Sequence, residues 1–399
     1  MIRVMMLSLV LVSTCYAGDA VTWKSPTTGG DVHGELLTPA VDAKTKSPAV
    51  IVMKGLAAPR VGTESCDTIV ADFVKDGYVV LVLDYSGHEK ATSPAINADI
   101  LKLREDVAGK NKSLLTNVPV DVDRLYILPE GYQLKRDVEF ARDGKRVLAM
   151  DVMYPSKPKQ PAPMLMEITC DNVNRMGAGS LLFCRDTLVE GGAMAGFVVA
   201  MVDHPVPPPY KGLDDPMPQS LHRMKAAVRT LRAIAPEVNG NGKIGVIGFS
   251  RGGPFAAMLA VSNGRADLEG DGDVHRDTSS DVQAATIYGN RYDYLNLRPD
   301  DPMLARFERA WGKRETSEQR WAEHGASYYM GKSIAPMFLN TSDAESPEYR
   351  DGLAKFDARL TELGAEHVYQ VDADGRGHRV TTDPKTLTKV YEFFARHLK

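Results

Sequence analysis

Apolar residues fall along this chain in short unbroken runs, and the segments between them carry helical periodicity. The runs are "PAVIVMKG" (residues 48–55), "GYVVLVLD" (77–84), "PAPMLMEIT" (161–169), "GFVVAMVD" (196–203), "KIGVIGF" (243–249), "VQAATIYGN" (282–290), "APMFLNTSD" (335–343) and "HVYQVDA" (367–373). Runs this short and continuous are the mark of strands buried on both faces of a sheet. Residues 220–235 predict a helix, because Leu221, Met224, Val228, Leu231 and Ile234 recur at steps of three and four and form one apolar stripe. Further helices are expected over 181–195 and 255–262. Ser346-Pro347 opens another, with Leu353, Phe356, Leu360 and Leu363 on one face and Gly364 at its close; Asp383-Pro384 opens the last. Residues 132–155 instead alternate apolar and polar about Asp143-Gly144, which reads as a β-hairpin. Strands alternating with helices specify an α/β fold, a mostly parallel sheet with helices on both faces.

Composition narrows the class of protein. The 399 residues are 43% hydrophobic and 25% charged, ordinary values for a chain that folds around its own core, and long enough for two units or one large one with an addition. A net charge of −4 without a block of lysine and arginine points away from nucleic acid and anionic membrane surfaces, and towards a neutral small molecule or uncharged polymer. Residues 1–17 join Arg3, an apolar stretch and small residues near Ala17, the layout of a secretory signal peptide cleaved after Ala17; lipid attachment at Cys15 is the weaker reading, because threonine precedes it. The mature chain is therefore expected to be secreted or periplasmic, with no integral membrane segment. Cys66, Cys170 and Cys184 remain, either as buried thiols or with a Cys170–Cys184 bridge.

The chemistry concentrates in "GFSRG". A serine hydroxyl is a weak nucleophile that needs a base for its proton and donors for the developing oxyanion. Gly248-Phe249-Ser250-Arg251-Gly252 is G-x-S-x-G, set between a predicted strand and a predicted helix, the context in which a strained turn presents the serine oxygen. Asp343 follows one later strand and His378 lies in a glycine-rich loop after another, giving the chain order serine, aspartate, histidine at the sheet edge where open α/β sheets gather their sites. His222 and His397 fall in helices, His367 begins a strand, His33 and His88 belong to the first third of the chain and His324 lies in a variable region, which favours His378 as the base; Glu345, Asp372 and Asp374 lie near enough in sequence to replace Asp343 as its partner. Acyl transfer then assigns attack to Ser250, proton transfer to His378 and orientation to Asp343. The backbone N–H of Arg251, with that of Cys170 or Asp171 beyond the 161–169 strand, forms the expected oxyanion hole. The Arg251 guanidinium either serves an acidic sugar or the oxyanion, or pairs with a surface carboxylate. His204 and Tyr210, just beyond the 196–203 strand, are candidate pocket residues or parts of a rigid proline-rich loop. The carboxylate-rich "DLEGDGDVHRD" (267–277) lacks the glutamate that a calcium loop carries at its twelfth position and reads as a solvated loop over the cleft. No phosphate-binding glycine loop, H-E-x-x-H or paired C-x-x-C is present, so neither a cofactor nor a catalytic metal is indicated.

The first third of the chain echoes the second. "GYVVLVLD" matches "GFVVAMVD", each follows a proline-led strand, and Gly131 lies as far beyond Gly77 as Ser250 lies beyond Gly196. Residues 20–132 are therefore expected to form a smaller α/β unit, a truncated and degenerate copy with glycine in place of the nucleophile; chance similarity of two hydrophobic βαβ units is the competing explanation.

With these residues in view, 133–399 resemble the α/β-hydrolase superfamily. The resemblance rests on the "GFSRG" elbow, the trailing Asp343 and His378, and "RDVEFARDGKRVLAMDVMYP", which is similar to the opening hairpin of secreted carbohydrate esterases and prolyl-oligopeptidase-type hydrolases. "SSDVQAATIYG" is similar to the strand after the elbow helix in acetylxylan and feruloyl esterase relatives. The resemblance implies an α/β-hydrolase catalytic domain over 133–399 and hydrolysis of carboxylic esters, with polysaccharide-linked acyl groups as substrates. A prolyl-oligopeptidase-like peptidase and a non-catalytic binding protein on the same scaffold are the alternatives. One departure stands out: Thr169-Cys170-Asp171-Asn172 occupies the place where the family carries His-Gly.

Overall fold

The computed structural model describes residues 18–25, 29–40, 46–54, 61–62, 66–86, 102, 120–129, 131–168, 196–206, 217–270, 274–381 and 383–399. The expected signal peptide, the helix over 181–195 and residues Cys170, Asp171 and Tyr210 lie outside them.

The described strands form two main sheets. The first runs β1-β2-β5-β3-β6, from β1 (Asp19–Lys24), β2 (Asp31–Leu37), β3 (Ser47–Lys54), β5 (Val79–Asp84) and β6 (Val120–Pro129). The second runs β15-β14-β13-β12-β10-β11-β8-β7. Its strands are β7 (Tyr132–Asp143), β8 (Arg146–Pro155), β10 (Ala162–Ile168), β11 (Val198–Val202), β12 (Gly240–Gly248), β13 (Ala284–Tyr288), β14 (Met337–Ser342) and β15 (His367–Asp372). A small ribbon pairs β4 (Val61–Gly62) with β9 (Lys157–Pro158), linking the two regions. In the larger sheet β7 and β8 form the expected antiparallel hairpin, β8 meets β11 antiparallel, and every pair from β11 to β15 is parallel.

The smaller sheet follows the same pattern as the first five strands of the larger. β1 and β2 are antiparallel, β2 meets β5 antiparallel, and β3 is parallel to both β5 and β6. Ala49 pairs with Val79 and Leu125 in one sheet, as Met164 pairs with Val198 and Ile244 in the other, and each central strand has a register shift just before that residue. Counting on from these pairs, Gly131 falls at the position of Ser250, and both have positive φ, 84° and 51°. After Gly131 the chain turns directly into β7, where after Ser250 it enters a helix.

Alternation along the parallel strands divides the core. Met164, Met166, Ile168, Val198, Ala200, Ile244, Val246, Ala285 and Ile287 pack on α2 (Gln219–Ala233), α3 (Gly252–Val261) and α6 (Pro347–Glu362). Their neighbours Leu165, Val199, Met201, Ile247, Ala284 and Phe338 join a second cluster with α7 (Pro384–His397), α1 (Cys66–Lys75) and the smaller sheet. This period of two is what a strand covered on both faces requires. Helix α6 buries Leu353, Phe356 and Leu360, but Leu363 is 44% exposed. As the C-cap residue it has passed the end of the helix, so it has left the predicted stripe. Asp383 does cap α7, accepting from the Thr386 N–H at 2.9 Å.

Within the carboxylate-rich loop, Glu269 is held by the body of the protein, while Asp267 and Asp277 are exposed as expected of a solvated loop. Glu269 accepts from the buried Lys225 at 3.2 Å and from Arg229, and Lys225 also donates to the Ser262 carbonyl and Ser280 Oγ. Two cations one turn apart on α2 need a counter-charge once buried, and the loop supplies it. Residues 304–330, which carry no clean pattern in the sequence, contain α4 (Leu304–Trp311) and α5 (Glu318–Glu323), joined by a satellite core of Phe307, Trp311 and Trp321.

Candidate active site

Strand β12 delivers Ser250 to the carboxyl edge of the larger sheet. Its φ of 51° lies in the left-handed region, a conformation that costs a non-glycine residue about 1–3 kcal/mol and persists only where surroundings enforce it. They do so here: the Gly252 N–H bonds the Phe249 carbonyl at 2.8 Å, and the Gly253 N–H bonds the Ser250 carbonyl at 3.1 Å. A Cβ on Gly248 would lie 2.3 Å from the Gly252 carbonyl oxygen, so the first glycine of the motif is required for α3 to cross the strand. Asn290, just beyond β13, donates its side-chain amide to the Ser250 carbonyl and fixes the elbow from the far side.

His378 Nε2 stands 2.9 Å from Ser250 Oγ, and its Nδ1 stands 2.8 Å from Glu345 Oε2. The imidazole lies between Phe249 and Tyr349, with ring centroids at 4.9 and 4.6 Å. Burial favours the neutral carboxyl of Glu345, but hydrogen bonds from His378 and the Ser346 N–H outweigh it and hold this group below the ordinary carboxylate range. Glu345 is thus an anion against the ring. Its room comes from Gly289: a Cβ there would sit 2.4 Å from Glu345 Oε2.

This geometry corrects the expectation for Asp343. That residue directly follows β14, but its side chain turns outward, accepting from the Gly375 N–H at 2.9 Å and from Ser342 Oγ at 3.2 Å. The turn 343–345 has to complete before a side chain can reach back under the imidazole, and there the longer glutamate closes the distance. Asp343 instead pins the loop that carries His378. Asp372 and Asp374, the other nearby carboxylates, are engaged by Arg376.

Arg376 ties this loop to the sheet. Its guanidinium donates to Asp372 at 2.6 Å, Asp374 at 2.5 Å, Asn340 Oδ1 at 2.7 Å and the Arg379 carbonyl at 2.9 Å. β14, β15 and both flanks of His378 therefore meet at one side chain, which acts as a positioning residue for the histidine. Arg376→Ala is expected to lower kcat roughly 10–100-fold with little change in KM, and added guanidinium should restore part of it. Equal losses in the folded fraction and in activity, with no rescue, would make its role purely structural.

Arg251 is the N-cap residue of α3, which sets its backbone N–H at a helix N-terminus beside Ser250. His204 lines the same cavity and is buried; burial first, and then the charge of Arg251, push it down to about 3, so it is a neutral imidazole at physiological pH. The cavity beside Ser250 has a volume of about 270 Å³. Its aromatic wall, with Tyr294, Phe307, Trp311 and Tyr349, comes from segments whose role was not visible in the sequence, although Met303, Phe307 and Trp311 recur at the helical step of four. Among the described residues, no group of His, Cys, Asp and Glu could hold a metal ion, and no helix is long and apolar enough to cross a membrane.

The strand order, the elbow at Ser250 and the later strands that end near Glu345 and His378 define an α/β-hydrolase fold, and the chain resembles carbohydrate esterases of that fold. Residues 150–346 match the BD-FAE family model. A truncated carbohydrate esterase from gut microbiota is similar in structure, with 20% identity, a TM-score of 0.53, and 66% of this chain and 96% of that one covered. A bifunctional GH43-CE protein of Bacteroides eggerthii aligns with 22% identity and a TM-score of 0.54 over 67% of this chain and 38% of its own. An acetyl ester-xyloside bifunctional hydrolase from Caldicellulosiruptor lactoaceticus aligns with 16% identity and a TM-score of 0.50, over 65% and 95%. Among curated proteins, none matches the chain.

Proposed function

We propose that this protein is a secreted serine hydrolase that cleaves carboxylic esters through an acyl-enzyme, with Ser250 as nucleophile, His378 as general base and Glu345 as the carboxylate that orients it. One observation carries the reading: a serine in a strained left-handed turn, 2.9 Å from an imidazole whose other nitrogen is 2.8 Å from a buried carboxylate. With Glu345 accepting from Nδ1–H, Nε2 is left to accept the serine proton. Ser250 Oγ adds to the ester carbonyl carbon as its proton passes to Nε2. The tetrahedral oxyanion is met by the Arg251 N–H and by a second donor from the loop after β10, where Cys170 and Asp171 are the candidates. Collapse expels the alkoxide, which takes the proton from Nε2 and leaves as the alcohol. Water, deprotonated by the same nitrogen, then releases the carboxylic acid.

The carbohydrate and acetyl-ester enzymes among the structural neighbours support acyl groups on polysaccharide as substrates, and the leader-like residues 1–17 support export. The N-terminal five-stranded α/β sheet is unlike the propeller gate of a prolyl-oligopeptidase, which weighs against a peptidase, and the hydrogen-bonded serine and histidine weigh against a binding protein without catalysis. The shared strand order, register and positive φ at Gly131 and Ser250 support residues 20–132 as a degenerate copy of the unit that follows, which spans 133–399.

A short-chain p-nitrophenyl ester tests the proposal. Wild-type protein is expected to release a burst of p-nitrophenol and to carry the acyl group on the peptide containing Ser250, seen by mass spectrometry after acid quench; Ser250→Ala should show neither. Acylation elsewhere, or undiminished turnover by the variant, would overturn it.

A further inference from the structure

The cavity beside Ser250 has an uneven charge. Arg251, Arg291 and Arg306 line it, and among the described residues no aspartate or glutamate does. Glu345 lies behind the imidazole, outside the lining, and His204 is neutral. The charge of Arg291 is matched: its guanidinium meets Asp301 in a buried pair of hydrogen bonds at 2.6 and 2.8 Å. Arg306 differs. It is exposed on α4, next to Phe307 and one turn from Met303, and no carboxylate among the described residues pairs with it. Arg251 adds a second positive field from the elbow itself, strong enough to contribute to the depressed pKa of His204.

We infer that this cavity selects esters bearing a carboxylate, with Arg306 as the specificity-determining residue and Arg251 reinforcing it. The inference rests on the serine-hydrolase reading and deepens it by naming the substrate class: an anionic ester, whose negative charge lies either on the acyl group or on the alcohol. A guanidinium offers two parallel N–H donors that match a carboxylate. The apolar walls of Phe307, Trp311 and Tyr294 exclude water from one side of that contact, which strengthens it relative to an ion pair in open solvent. The overall charge of −4 makes this local excess of positive charge stand out, because it opposes the sign of the chain as a whole.

The test compares two matched pairs of esters with the full mature chain. Mono-p-nitrophenyl succinate against p-nitrophenyl butyrate places the charge on the acyl side. 4-Acetoxybenzoate against its methyl ester places it on the alcohol side. In at least one pair, wild type is expected to prefer the anion by roughly 10-fold in kcat/KM, and added salt should shrink the preference. Arg306→Gln should abolish the preference, measured as the ratio within the pair, and Arg306→Lys should restore part of it. A ratio at or below one in both pairs would overturn the inference while leaving ester hydrolysis intact, and so would a preference that survives in Arg306→Gln. Failure to hydrolyse any of the four esters would overturn the hydrolase reading and this inference together.

Discussion

Glu345→Gln is expected to lower kcat for ester hydrolysis by about 10⁴-fold with KM little changed, while Asp343→Asn stays within about tenfold of wild type. The two carboxylates stand two positions apart at the end of one strand, and only geometry separates them. Glu345 Oε2 is 2.8 Å from His378 Nδ1. An anion there accepts a hydrogen bond from Nδ1–H and so keeps Nε2 free for the Ser250 hydroxyl. An amide of the same shape can turn its NH₂ towards the ring and stabilise the opposite tautomer, in which Nε2 carries the proton and cannot act as base. Four decades correspond to about 5.4 kcal/mol of transition-state stabilisation, close to what loss of the orienting carboxylate costs in a serine protease triad. Asp343→Asn keeps an oxygen for the Gly375 N–H, so the loop anchor is weakened and not removed. Steady-state kinetics on the two variants, with thermal unfolding measured alongside, decides the matter. If Asp343→Asn proves as damaging as Glu345→Gln, the hydrogen bonds at His378 do not describe the working enzyme.

Much of this site was legible in the sequence, and the exceptions have physical causes. The strands could be read because continuous burial on two faces leaves continuous apolar runs. Ser250 and His378 could be read because each needs glycine neighbours to reach its place: Gly248 for the helix crossing, Gly375 and Gly377 for a loop with positive φ on both sides of Arg376. The acid could not be read in the same way. A carboxylate placed directly after a strand is the simplest choice, but the side chain at that position faces the neighbouring loop, and the one that meets His378 Nδ1 comes only after a turn. Gly289 is the signal that was present. A glycine ending "TIYG" makes a space beside the imidazole, and only a long carboxylate from the adjacent strand end fills it. The cavity wall was hidden for another reason. α4 and α5 are short, open without a side-chain cap and meet through a small cluster of Phe307, Trp311 and Trp321, so neither length nor capping announces them. The pairing of Glu269 with Lys225 and Arg229 was not legible either, since a carboxylate-rich segment reads as solvated until the helix cations that it meets are known.

Asp301→Asn is expected to destabilise the protein by about 3–5 kcal/mol, because it removes the hydrogen-bonded counter-ion of the buried Arg291 and leaves it only the more distant Glu348, at 3.9 Å. Arg291 and Asp301 side chains are only 4% and 1% exposed, and the two are joined by paired hydrogen bonds. The cost of the substitution is therefore mostly that of an uncompensated charge and not the worth of the pair itself. It follows that Asp301→Leu combined with Arg291→Met should recover most of the stability lost by the single variant, since two apolar groups of similar volume remove both charges together. Activity should not recover with it. Arg291 packs over the Tyr349 ring at 4.8 Å, and Tyr349 is one of the two rings that hold His378. The Met303 N–H also bonds to Asp301, so the same carboxylate fixes the start of α4 and through it Arg306 and the cavity wall. Denaturant unfolding monitored beside ester turnover separates the two roles: the double variant is expected to unfold near wild type yet turn over ester more slowly. A single variant that costs less than about 1 kcal/mol would mean that this pair is hydrated in solution, and the ordered cavity wall would then need another source of support.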